Sequence, residues 1–269
     1  MTDATIDAAD QAGRYHLDHE TTIDALEAEL TRTVALAERC PPELVIPTCP
    51  GWTAADLWEH LGTTHRWACE IVRTGATARI SRRELDVATP TDDSWAPWLA
   101  DGGDRLLAAL RDTAAEDPLW VWGDDPHARW WARRQLHETV VHNADAALAA
   151  GEGFELPQRV AADGICELLD SVPVRLGWPG AARPQGEATL HLHATDPSGS
   201  LGDDGEWMVS LADETVTYVH GHGKGDVAVR APVGYLMLLV NRRLPVESEM
   251  LEVFGDPDTL AASLEAVSW

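Results

Sequence analysis

The sequence predicts an α+β protein, a four-helix bundle over residues 1–153 followed by a small α+β domain over residues 154–269. Two observations carry this division. Before Gly153 the apolar residues recur at steps of three and four, as on a helix, and beyond Gly186 they alternate at steps of two, as on a half-buried strand. Between these regions lies GWPGAARPQGE, a stretch too rich in glycine and proline to continue a helix.

The elements follow in order. From His16 to Cys40, the positions Ile23, Leu26, Leu30, Val34 and Ala37 form one helical stripe. A proline-rich connector, CPPELVIPTCPGW, then leads to Thr53, which can cap a second helix with Asp56 as its capping-box partner. That helix carries Leu57, Leu61, Thr64, Ala68 and Ile71 along one side. A third helix is expected from Ser94 to Ala115, weakened in its middle by Gly102 and Gly103. The fourth runs from Arg129 to Ala150 and stops at Gly151 and Gly153. One more helix, Arg159 to Leu176, precedes strands at 188–194, 207–211, 215–219 and 226–230. A helix over 231–242, a strand at 251–254 and a helix over 257–267 complete the chain.

Composition narrows the function. The chain has 269 residues, is 45% hydrophobic and 24% charged, and carries a net charge of −25. Such an acidic surface repels nucleic-acid phosphates, so no nucleic-acid partner is expected. No apolar run is long enough for a membrane span, and the N-terminus lacks the pattern of a secretory signal. A cytoplasmic protein with reduced thiols at Cys40, Cys49, Cys69 and Cys166 is the expectation.

The segment RQLHETVVHNAD holds the most informative chemistry. HETVVH differs from the zinc-protease pattern H-E-x-x-H by one extra residue, so His137 and His142 diverge by roughly 140° around a helix and do not share an ion. Glu138 and His142, four apart, lie on one face and can chelate one divalent ion. His137 falls in the apolar row and reads as a core or supporting residue. A third ligand must come from another helix. His60, on the core-facing side of the second helix, is the best candidate, and His65 is turned away from it. Two imidazoles and a carboxylate leave coordination positions open, as in a catalytic centre, and suit zinc, nickel or iron. The plainer reading is that His60 and His142 are hydrogen-bonded core histidines and that Glu138 pairs with Arg134 at the surface.

Other features carry less. In YVHGHGKGD, His220 and His222 fall on one face if the segment is a strand, and its glycines cradle an anion or simply turn a hairpin. The tryptophans read as core, and nothing marks Cys49 or Cys69 as a nucleophile.

The stretches CPGWTAADLWEHLG, RQLHETVVHNADAALAAG and GDVAVRAPVGYLMLLVNRRLPVESEMLEVFGDPDTLAASL stand out together. In their order and spacing they resemble the mycothiol-dependent maleylpyruvate isomerase family, of the DinB-like metal-bundle superfamily. The resemblance implies a DinB-like four-helix bundle and a small α+β domain, with a metal, usually zinc, held by His60, Glu138 and His142. It implies mycothiol as cosubstrate, activated as a thiol by the metal, and a catalytic arginine for an anionic substrate at Arg242, with Arg243 adjacent. Two departures stand out: VGYLMLLVNRR lacks both the leading aspartate and the tryptophan of the family pattern.

The sequence therefore points to a metal-dependent, thiol-using transferase or isomerase acting on a small electrophilic, anionic substrate, with no nucleic-acid or membrane partner. The rivals are a thiol-independent metal hydrolase or biosynthetic enzyme on the same scaffold, and a non-catalytic protein that binds a metal or small molecule.

Overall fold

A computed structural model of the chain describes residues 17–91, 94–184, 186–197, 201, 205–212 and 215–268. The N-terminal segment read above for a secretory signal, and His16 with it, lie outside the described residues. The chain divides into two compact units, Asp18–Phe154 and the part from Glu155 onward. No helix of the described residues is long and apolar enough to cross a membrane.

The first unit is a four-helix bundle of α1 (His19–Arg39), α2 (Ala54–Thr74), α3 (Trp95–Arg111) and α4 (Ala128–Ala149). Helices α1 and α2 each pack on both α3 and α4, so the four close a ring around one interior. Helix α2 begins with the capping box read from the sequence: Thr53 caps Asp56, and the Asp56 carboxylate accepts the Thr53 backbone N–H at 2.8 Å. Its stripe of Leu57, Leu61, Thr64, Ala68 and Ile71 is buried as expected. Gly102 and Gly103 do not break α3. They let it approach its neighbours, since a Cβ at Gly102 would lie 2.4 Å from the Arg66 guanidinium and one at Gly103 3.1 Å from Leu30.

Two rows depart from the periodicity. On α1, Val34 and Ala37 are only half-buried, while Glu29 and Thr33 are buried instead. Thr33 donates to Asn143 Oδ1 at 2.8 Å and the Asn143 amide donates to Glu29 Oε2 at 2.9 Å, so a polar bridge fastens α1 to α4. On α4, Leu148 is exposed, whereas Arg134, Gln135, Thr139, Asn143 and Asp145 are buried. A helix packed on nearly every side, with polar residues inside, has no single apolar stripe to read.

The second unit begins with α5 (Gln158–Arg175) and continues through β1 (Ala188–Ala194), β2 (Glu206–Ala212), β3 (Thr215–His220), β4 (Val227–Ala231), α6 (Val233–Val240), β5 (Glu252–Phe254) and α7 (Pro257–Val267). The strands form one sheet in the order β3-β2-β1-β4-β5, with only the β1–β4 pair parallel. Leu190, Leu192, Trp207, Val209, Val227 and Val229 are buried on the face where α5, α6 and α7 pack. The strand alternation puts His191, His193, Glu206 and Met208 on the opposite face.

The end of α6 is unusual. Arg242 has φ +59, the only non-glycine residue with positive φ among those described. Its N–H donates to Leu239 O and that of Arg243 to Leu238 O, both at 2.8 Å. These are the two bonds of a Schellman cap, whose left-handed position is usually glycine.

Candidate metal centre

Helix α2 supplies His60 and helix α4 supplies Glu138 and His142. Because α2 packs on α4, the three side chains converge: His60 Nε2 lies 2.9 Å and His142 Nε2 3.6 Å from Glu138 Oε1. Their candidate ligand atoms all fall within 4.8 Å of one another. The spacing of four between Glu138 and His142, and the position of His60 on α2, thus bring together the residues that the sequence singles out. His137 is buried elsewhere on α4 and takes no place in the cluster.

Two of the three converging groups, His142 and Glu138, are held from behind. His142 Nδ1 lies 2.9 Å from Asp145 Oδ2, so that nitrogen donates and Nε2 is the one presented to the cluster. Asp145 is fully buried and also accepts the Thr48 hydroxyl at 2.6 Å and the Cys49 thiol at 3.3 Å. Glu138 receives Arg134 Nη2 on its other oxygen at 2.9 Å. Arg134 is itself buried, so this pair is an interior brace rather than the surface contact of the plainer sequence reading.

The connector Cys40–Trp52 brings Thr48 and Cys49 to Asp145. It folds into tight turns, with Cys49 N donating to Ile46 O at 3.1 Å and Ile46 N to Trp52 O at 3.0 Å. Trp52 then faces both imidazoles, its ring centroid 5.0 Å from that of His60 and 6.1 Å from that of His142. The connector is a wall of the site.

The electrostatics follow from these contacts. Burial pushes the Glu138 carboxyl up, but hydrogen bonds from His142 and His60 and the charge of Arg134 outweigh it and hold the group well below its usual range. Burial pushes His142 down, but Asp145, Cys49 and Glu138 outweigh it and raise the imidazole well above its usual value. His65 behaves differently. It is fully buried, donates from Nε2 to Thr139 at 2.9 Å while Thr139 donates to Gln135 O, and burial drives its pKa to about 3. His65 is a neutral core histidine, turned away from the site as its position on α2 suggests.

The donor set fits a divalent ion. Two imidazole nitrogens and a carboxylate oxygen lie within 4.8 Å of one another, one imidazole has its second nitrogen fixed by a carboxylate, and the converging carboxylate is fixed by an arginine. Sequence reading puts Asp145, three residues after His142, near the same helix face but gives it no role. It misses Thr48, Cys49 and Trp52, which reach the site from the connector and carry no local signal.

Arg242 lies in the second unit, beside a cavity lined in part by Arg175, Trp178 and Ser268. Its side chain is exposed, whereas Arg243 is half-buried and donates Nη1 to Asn241 O at 2.7 Å. In the same unit His220 and His222 do not share a face. Gly221 has φ +140, which breaks the alternation, so His220 turns inward beside Cys166 and His222 turns toward the opposite side.

Fold and site together define a two-unit protein whose helical bundle presents a histidine-carboxylate cluster and whose second unit is a small mixed sheet with helices. The model for the mycothiol maleylpyruvate isomerase N-terminal domain matches residues 23–147, and the model for the C-terminal domain matches residues 159–262. The chain belongs to the mycothiol-dependent maleylpyruvate isomerase family. Among solved structures, it is similar to a mycothiol-dependent maleylpyruvate isomerase at 15% identity and a TM-score of 0.58, covering 88% of this chain and 93% of that one. A histidine-to-alanine mutant of the isomerase matches at 14% identity with the same TM-score and coverage. No curated protein sequence matches.

Proposed function

We propose that this chain is a metal-dependent enzyme that uses mycothiol to isomerise, or to transfer sulfur to, a small electrophilic and anionic substrate. The observation that carries the reading is the convergence of His60, Glu138 and His142 with both flanking braces in place. Family membership supports the choice of mycothiol, and the two related structures, both of an isomerase, support isomerisation as the reaction.

In this reading His60 Nε2, His142 Nε2 and Glu138 Oε1 hold a divalent ion, with zinc the expected occupant. A bound divalent ion supplies Lewis acidity, lowering the pKa of a thiol near it so that the thiolate forms at neutral pH. The protein's own residues set the stage. Asp145 keeps the Nδ1 proton on His142, which fixes the ring and leaves Nε2 as the donor. Arg134 neutralises and orients Glu138 through Oε2, the oxygen not shared with His60 and His142. Trp52 packs its ring against the two imidazoles and so restricts their positions. Arg242 is assigned the substrate carboxylate, because its side chain is exposed while Arg243 is engaged with a backbone carbonyl.

The test is zinc content and mycothiol-dependent turnover of maleylpyruvate in the wild type, His60→Ala and His142→Ala. Each folded variant is expected to lose one equivalent of zinc and roughly a thousandfold or more in turnover, as loss of a Lewis acid implies. Folded variants that keep the full zinc content refute the ligand set. Turnover that persists without mycothiol refutes the thiol and favours a hydrolase.

A further inference from the structure

A second cluster of metal-ligating side chains stands in the second unit, built from residues given no part in the site above. His191 and His193 are two apart on β1 and so share its face. His193 is directly opposite Glu206 on β2, which puts the carboxylate on that same face. His222 arrives from the segment after β3, redirected by the left-handed turn at Gly221. All three rings then meet one oxygen: Glu206 Oε2 is 2.6 Å from His191 Nε2, 2.7 Å from His222 Nδ1 and 3.1 Å from His193 Nδ1. The four candidate ligand atoms lie within 4.8 Å of one another, and the rings stand nearly perpendicular, at interplanar angles of 81° to 85°.

The segment that delivers His222 is pinned. Asp226 accepts the Thr189 backbone N–H at 2.8 Å and the Thr189 hydroxyl at 2.7 Å, and its own N–H donates to Thr189 Oγ1 at 2.9 Å. Gly225 is pressed against β1 so closely that a Cβ there would lie 2.9 Å from Thr189 O. Gly223 is pressed against Met208 on β2. The glycines of HGHGKGD thus fold the segment flat across the sheet and hold His222 over His191, which is only 5% exposed.

We propose that His191, His193, Glu206 and His222 form a second divalent-metal site, with zinc or a neighbouring transition ion as its occupant. Three imidazoles and one carboxylate complete a four-coordinate shell from the protein alone, the pattern of a structural ion. Imidazole donors favour zinc, copper and nickel over magnesium or calcium. The exposed ring of His222 marks the side from which an ion reaches the shell. An ion here ties the segment after β3 to β1 and β2, as a clip across three stretches of chain.

Zinc titration of the full-length protein with stoichiometry by elemental analysis tests the site. The His60→Ala/His142→Ala double variant is expected to bind one equivalent. Adding His191→Ala and His193→Ala to it should abolish binding. Since those strand substitutions can unfold the sheet, His222→Ala and Glu206→Gln are measured in the same background, where each should weaken zinc binding roughly tenfold or more. Circular dichroism checks that the variants fold. If the double variant binds no zinc, or binds it as tightly after His222→Ala and Glu206→Gln, the proposal is overturned. Because every arm lacks the first cluster, this outcome is independent of whether His60, Glu138 and His142 hold a metal.

Discussion

Replacing Arg242 with glycine separates what the backbone wants at the end of α6 from what the side chain is for. The residue occupies the left-handed position of a Schellman cap at φ +59. For an L-residue that conformation costs about 1–2 kcal/mol. Glycine adopts it freely, but its greater freedom in the unfolded chain returns about 0.4–1 kcal/mol. The net expectation is that Arg242→Gly stabilises the fold by about 0.5–1 kcal/mol, roughly 1–4 °C in Tm for a chain of this size. Arg242→Ala, which keeps the strain but loses the guanidinium, should gain nothing. If the guanidinium grips a substrate carboxylate, its loss removes a charge-assisted contact worth about 1.5–3 kcal/mol. Both variants should then lose roughly 10- to 150-fold in kcat/KM for mycothiol-dependent turnover of maleylpyruvate. Thermal unfolding and steady-state kinetics on the three proteins suffice. A glycine variant no more stable than the alanine variant refutes the strain argument, and unchanged kcat/KM refutes the role of the arginine.

Two other substitutions probe the bundle. Asp145→Asn leaves one oxygen where Thr48, Cys49 and His142 together use two. Zinc affinity at the first cluster should therefore fall about 10- to 100-fold, as read by competition with a chromophoric chelator, and wild-type affinity would exclude Asp145 as a brace. His65 has its folded pKa depressed to about 3 from the ordinary 6.5, so its contribution is complete above pH 6.5 and is lost as the pH falls toward 3. In a chelator-treated sample, urea unfolding of the wild type should lose about 2 kcal/mol from this group between pH 7 and pH 5. His65→Gln should flatten that loss, and an identical pH dependence would show that the buried imidazole is not responsible.

Much of this molecule is legible in the sequence because the signals are local. The capping box of Thr53 and Asp56 needs only four residues to be seen, and the stripe of α2 only one helix. Glu138 and His142 declare themselves by spacing, and the same arithmetic removes His137. The illegible features depend on partners distant along the chain. Glu29 and Thr33 are buried because Asn143 meets them, and nothing within α1 announces that. Asp145 becomes a support only when the connector delivers Thr48 and Cys49 to it. The alternation of 188–194 is plain in the sequence, but His193 faces Glu206 through a strand register that only the folded sheet displays. His220 and His222 illustrate the opposite risk, since one left-handed glycine overturns the face that their spacing implies.

The shared carboxylate of Asp145 has a consequence for how such a protein can change over generations. Connectors between helices ordinarily accept insertions and sequence drift, and so serve as the raw material for new specificities. Here the Cys40–Trp52 connector and the imidazole of His142 hang from one buried side chain. A change in the connector that displaces Thr48 or Cys49 also alters the setting of the candidate ligand. This stretch is therefore under the constraint of a core element, and descendants of the chain with altered selectivity should carry their differences elsewhere.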